Sequence, residues 1–121
     1  GGDWPTPDGS GVRDYIHVID LAEGHVAALN CLTAEPPQHL EVNLGSGQGH
    51  SVLDVVKAFE IASGCAVPYA VVARRTGDAA ITVADPSLAA KRLGWKTKRS
   101  LEDMCRDGWT WQSTNPNGYR P

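Results

Sequence analysis

A mixed α/β fold is predicted by three features of this 121-residue sequence. Segments with helical spacing of apolar residues alternate with short β-branched runs. Turn formers divide them at short intervals, as in "AEPPQ", "GSGQG", "RRTGD" and "TNPNG". No repeat, low-complexity tract or internal linker interrupts the pattern, so one domain over residues 1–121 is expected.

The opening "GGDWPTPDGSG", residues 1–11, is rich in turn formers and reads as an exposed loop. "VRDYIHVI" reads as a short strand. In "DLAEGHVAALNCL", Leu21, Ala22, Val26, Leu29 and Leu32 fall near one helical stripe; Asp20 and Glu23 have capping-box spacing, and Pro36 and Pro37 set the end. "LEVNLG" is a strand candidate. It leads into a second helix, "SVLDVVKAFEIASG", with Ser51 and Asp54 at cap spacing and Gly64 at the stop. "PYAVVA" is β-like, "ITVA" is briefly extended, and Asp85 and Pro86 suit the start of a short helix closed by Gly94. The last helix begins at Ser100, with Asp103 three residues on. Leu101, Met104, Cys105 and Gly108 share one of its sides, and Trp109 and Trp111 flank it as packing anchors.

With 41% apolar residues, 21% charged residues and a formal charge of −3, the composition is that of a soluble globular domain. No apolar run nears the roughly 20 residues that span a bilayer, so no membrane partner is expected. An acidic balance without a basic cluster argues against nucleic acid. Cys31, Cys65 and Cys105 are odd in number and form no CxxC pair, which reads as reduced packing thiols in a cytoplasmic protein. His17, His25, His39 and His50 form no i, i+4 pair, so no metal site is expected.

Gly45, Gly47 and Gly49 lie between a strand candidate and a helix, where dinucleotide phosphates are often held. The dinucleotide fingerprint places its third glycine one residue later, at His50, and an acidic residue at the end of the next strand, where Arg74 and Arg75 stand. A structural turn is therefore the better reading, with no cofactor bound by this chain. Nor does any tyrosine have a lysine four residues on: Tyr15 is followed by Ile19 and Tyr69 by Ala73, while Tyr119 lies near the chain end.

Side-chain alternation puts Arg13 and Tyr15 on one side of their strand. Arg75 ends another β-like run, with Asp78 three residues on. Two planar, permanently charged guanidiniums brought together suit a diphosphate, and Asp78 suits a vicinal diol such as a ribose. The competing reading pairs Arg13 with neighbouring Asp14 as a local ion pair.

The segments "PTPDGSGVRDYIHVIDLAEGHVAAL", "NLGSGQGHSVLDVV", "VVARRTGD", "DPSLAAKRLGWK" and "WTWQSTNPNGY", in this order, resemble the carboxy-terminal portion of the UDP-glucose 4-epimerase family. These enzymes are also called UDP-galactose 4-epimerases and are extended short-chain dehydrogenases. The resemblance implies a substrate-binding domain in which Arg13 and Arg75 anchor the UDP diphosphate, Tyr15 lines that site and Asp78 contacts the uridine ribose. It also implies NAD and the catalytic YxxxK pair in an amino-terminal Rossmann domain absent from this sequence. A piece cut within such an enzyme, inactive alone, is expected.

The family's reaction moves a hydride from C4 of the hexose to NAD and returns it to the opposite face. Thr82 matches a position bordering the hexose, where a small residue implies room for N-acetylhexosamine substrates. The resemblance further implies a homodimeric intact enzyme. Another nucleotide-sugar dehydrogenase relative, such as a dehydratase or decarboxylase, and a non-catalytic UDP-binding module are the alternatives.

Overall fold

The computed structural model describes residues 1–119. Its elements run β1 (Val12–Arg13), α1 (Val18–Ala34), β2 (His50–Ser51), α2 (Val52–Ser63), β3 (Ile81–Thr82), α3 (Ser87–Leu93) and α4 (Leu101–Thr114). The α/β class is as the sequence predicts. The sheet is very small, with β1 central, antiparallel to β2 and parallel to β3. Its register sets Arg13 opposite His50 on one side and Thr82 on the other.

Helices α2 and α4 form the main core, where Ala58, Leu101 and Cys105 are buried with Val55, Phe59, Ala62 and Met104 packed around them. Both begin with the predicted capping boxes, Ser51 with Asp54 and Ser100 with Asp103, and Gly64 closes α2 at φ 69°. Burial pushes the Cys105 thiol pKa up, as expected of a packing cysteine. Cys65, by contrast, is exposed.

Helix α1 departs from expectation at both its start and its face. It begins before Asp20, because His17 is the N-cap and its Nδ1 accepts the Ile19 amide at 3.1 Å. Asp20 is fully buried in the first turn instead. There its carboxylate accepts the Lys98 and Arg99 amides at 3.1 and 3.0 Å, together with the Arg99 guanidinium. Burial alone would raise its pKa; these hydrogen bonds outweigh that and hold it below the ordinary value. Trp95 is the buried tryptophan and donates to the Asp20 carbonyl at 3.0 Å. Trp109 and Trp111, expected as anchors, are 36% and 46% exposed.

The predicted apolar stripe of α1 largely faces outward, with Val26, Leu29 and Leu32 exposed. Gly24 supplies the contact face. A Cβ there would stand 2.9 Å from Leu44 and 3.1 Å from Trp95, so only glycine admits this close approach. Three strand expectations also shrink. "VRDYIHVI" is a strand only at Val12–Arg13, and neither "LEVNLG" nor "PYAVVA" joins a ladder among the described residues. Strand composition without a hydrogen-bonding partner leaves an extended loop. No helix among the described residues is long and apolar enough to cross a membrane.

Candidate substrate-binding site

The glycine turn is built around Asp14. Its carboxylate accepts the Ser46 amide at 2.9 Å, the Gly47 amide at 3.0 Å and the Ala84 amide at 3.2 Å. Gly47 takes φ 74°, open to glycine at little cost. A Cβ at Gly45 would come within 2.6 Å of the Ala84 methyl and 2.7 Å of Asp14. The amides that would cradle a phosphate are therefore already committed to an internal carboxylate. Burial opposes ionisation of Asp14, yet these donors keep its pKa below the ordinary range. The competing reading of Arg13 and Asp14 as a local ion pair is not seen: side-chain alternation sends Asp14 to the turn and Arg13 the other way.

Arg13 turns toward Asp78. Its Nη2 lies 3.9 Å from Asp78 Oδ1, while its Nη1 donates to the Val12 carbonyl at 2.7 Å. The guanidinium folds back over Gly11, where an added Cβ would meet Nη1 at 3.3 Å. Arg75 approaches the same carboxylate, donating from Nε at 3.1 Å and from Nη2 at 3.4 Å. Gly77, at φ 87°, makes the turn that carries Asp78 back beneath Arg75. Two permanent cations thus converge on one carboxylate, that of Asp78. The Arg75 side chain is 84% exposed, free to reach an incoming anion.

Arg13, Tyr15, Arg75 and Asp78 line a single cleft of about 600 Å³. Its remaining walls come from the opening loop, the start of α2 and the apolar run 69–73. Four of the five residues predicted from the sequence are therefore together. The fifth, Thr82, is exposed and lies beside Arg13 in the sheet, outside the cleft lining.

Sequence reasoning missed Trp4 and Asp8, which also line the cleft. The opening segment is more organised than an exposed loop. Trp4 and Gly9 close a backbone hydrogen bond of 2.9 Å, Ser10 is buried, and Asp8 accepts the Ser51 hydroxyl. That hydroxyl is the main reason the Asp8 pKa lies below its ordinary value. The "PDGS" tetrapeptide carries the signal, since aspartate two residues before a serine caps its amide, here at 2.9 Å.

No family model matches the sequence. Curated relatives do. The chain is 58% identical over 120 residues to a UDP-glucose 4-epimerase of Drosophila melanogaster, and 57% identical over 119 residues to one of Neisseria meningitidis serogroup C. Each alignment covers 98% of this chain, which spans only about a third of those relatives' length, 34% and 35%. Among solved structures, the UDP-glucose 4-epimerase of Bifidobacterium longum, in complex with NAD+ and UDP, superposes with a TM-score of 0.92 at 50% identity. That match covers 98% of this chain and 35% of the other. The UDP-Glc/GlcNAc 4-epimerase of Campylobacter jejuni gives 0.81 at 33% identity, over 94% of this chain and 34% of that one.

The chain therefore has the fold of the carboxy-terminal part of short-chain dehydrogenase epimerases. Within that class it matches the carboxy-terminal part of the UDP-glucose 4-epimerase family over nearly its whole length.

Proposed function

We propose that this chain is the UDP-hexose-binding portion of an NAD-dependent UDP-glucose/UDP-galactose 4-epimerase, an isomerase. The observation that carries the reading is the convergence of Arg13 and Arg75 on Asp78 in one cleft. A diphosphate entering there offers oxygens that replace Asp78 as the guanidiniums' acceptor, in the fork geometry arginine favours. Asp78, released from Arg75, then accepts from the ribose hydroxyls, with Tyr15 on the adjoining wall. Firm binding of this unreactive nucleotide holds the substrate while the sugar end stays loose enough to turn.

In this reading the chain itself contributes no NAD site. The glycine-turn amides face Asp14, and no tyrosine has a lysine four residues on. When bound, NAD supplies the hydride acceptor, and in this reading it is held by a Rossmann domain outside these 121 residues. The reading also places the enzyme in the cytoplasm, in galactose and nucleotide-sugar metabolism, as a homodimer. Three free thiols support the reducing compartment.

The extension to N-acetylhexosamine substrates rests on the resemblance that matches the small Thr82 to a hexose-bordering position; in the fold Thr82 stands beside Arg13, outside the cleft lining. The test of the main reading is a chimera in which this chain replaces the matching segment of the Bacillus subtilis relative, 57% identical to it. Interconversion of UDP-galactose and UDP-glucose by the chimera is the expected result. A folded, NAD-loaded chimera without that activity overturns the reading.

A further inference from the structure

The two arginines of "RRTGD" are adjacent in sequence and differ in what they touch. Arg75 lines the cleft; Arg74 does not. Instead the Arg74 guanidinium lies over the Trp4 ring, 3.8 Å from its centroid. Its Nε donates to Asp3 Oδ1 at 2.7 Å, and its Nη2 donates to the Asp3 carbonyl. The Asp3 pKa is held below its ordinary value chiefly by this hydrogen bond from Arg74. Nearby, a Cβ on Gly2 would stand 2.8 Å from Val71, so the opening segment lies directly against the 69–73 run.

The opening segment is a wall of the cleft, because Gly1, Gly2, Trp4 and Asp8 line it together with residues 69–73. Its far end is tied through Asp8 to Ser51, at the start of α2. Residues 1–9 lie outside any helix or ladder, so the segment is ordered only by contacts such as the Trp4–Gly9 backbone hydrogen bond and those it makes with other parts of the fold. Ring stacking and the two-pronged contact with Asp3 tie it to the "RRTGD" turn. A planar guanidinium can make both at once, whereas a lysine ammonium keeps the cation over the ring but loses the fork.

We infer that Arg74 is a positioning residue for this site: it clasps Asp3 and Trp4 and so holds the opening segment as the cleft wall against which Arg75 and Arg13 present their ligand. The clasp stands on the contacts above; its effect on UDP rests on the function proposed for the cleft. The pair thus divides its work, Arg75 toward the ligand and Arg74 toward the wall.

Hydrogen exchange of the whole chain, and of the chimera with and without millimolar UDP, read by mass spectrometry, tests this. In Arg74→Ala, exchange in the peptide covering residues 1–10 should rise about tenfold while that of α2 and α4 stays unchanged, and Arg74→Lys should recover part of the difference. The UDP concentration that slows exchange around the cleft should rise about fivefold in Arg74→Ala. Arg75→Ala should weaken the UDP response with normal exchange in residues 1–10. Unchanged exchange of residues 1–10 in Arg74→Ala overturns the clasp, as does a rise spread equally over all helices. A looser segment with an unshifted UDP response overturns the positioning role. The UDP readings are made in the chimera, which supplies the remainder of the site; if UDP leaves even the unaltered chimera unaffected, the nucleotide reading and the positioning role fall together, while exchange still decides the clasp.

Discussion

Asp14 and Gly47 meet at 3.0 Å, carboxylate to amide, so an amide that a phosphate would need in this glycine-rich turn already has an internal acceptor. The carboxylate fills the concavity that an anion would occupy. Truncation by Asp14→Ala strands the Ser46, Gly47 and Ala84 amides and should cost about 2 kcal/mol in urea unfolding at neutral pH. The folded-state pKa of Asp14 is depressed below 3.8, so its contribution is present above that value and lost as pH falls through the folded value. The difference between wild type and Asp14→Ala should therefore shrink below pH 3.8, and a difference that grows on acidification would contradict the assignment.

Two glycines predict opposite responses to a methyl group. Gly45→Ala drives a Cβ to 2.6 Å from Ala84 and should destabilise the chain by about 2 kcal/mol or more. Gly108 lies inside α4, where a Cβ would rest at an ordinary 3.7 Å from Phe59. Gly108→Ala should stabilise by about 0.5–1 kcal/mol through helix propensity. Thermal melts of both variants check the pair, and a stabilised Gly45→Ala would refute the packing described for the turn.

Val26, Leu29 and Leu32 leave an apolar stripe of α1 exposed. Such a patch favours association, so the isolated chain should self-associate at high concentration. Sedimentation velocity should show association for wild type and its loss in Val26→Glu/Leu29→Glu. A concentration-independent monomer would refute this.

Thr82 stands beside Arg13 across the parallel pair of strands. If its small side chain leaves room for a 2-acetamido group, the chimera should act on UDP-N-acetylglucosamine, and Thr82→Tyr should remove that activity while sparing plain hexoses. Coupled assays on both substrate pairs measure this. N-acetyl activity absent before and after the substitution, or equal losses on both pairs, would count against it.

The helices were legible because their signals are local. Ser51 with Asp54, Ser100 with Asp103, Gly64 and Gly94 each act within a few residues, and all stand where the sequence places them. Arg13, Tyr15, Arg75 and Asp78, singled out from an expected strand and from guanidinium chemistry, do share one cleft, although the strand itself stops at Arg13. The misses depend on distant partners. "LEVNLG" and "PYAVVA" have strand composition, but pairing is a property of two segments. Asp20 has the spacing of a cap, and only the approach of Lys98 and Arg99 shows it to be a buried acceptor. The stripe at Val26 and Leu29 has the right period, yet periodicity does not say whether a face is covered.

The most direct test of the account is the KM for UDP-galactose in the chimera and in its Arg13→Ala and Arg75→Ala variants. Loss of a bidentate charge-assisted contact should raise KM about tenfold or more in each, with a smaller change in kcat, because the interaction is made to the unreacting nucleotide. Unchanged KM in both variants, with folding and NAD content intact, would contradict the claim that the Arg13–Asp78–Arg75 constellation is the diphosphate anchor.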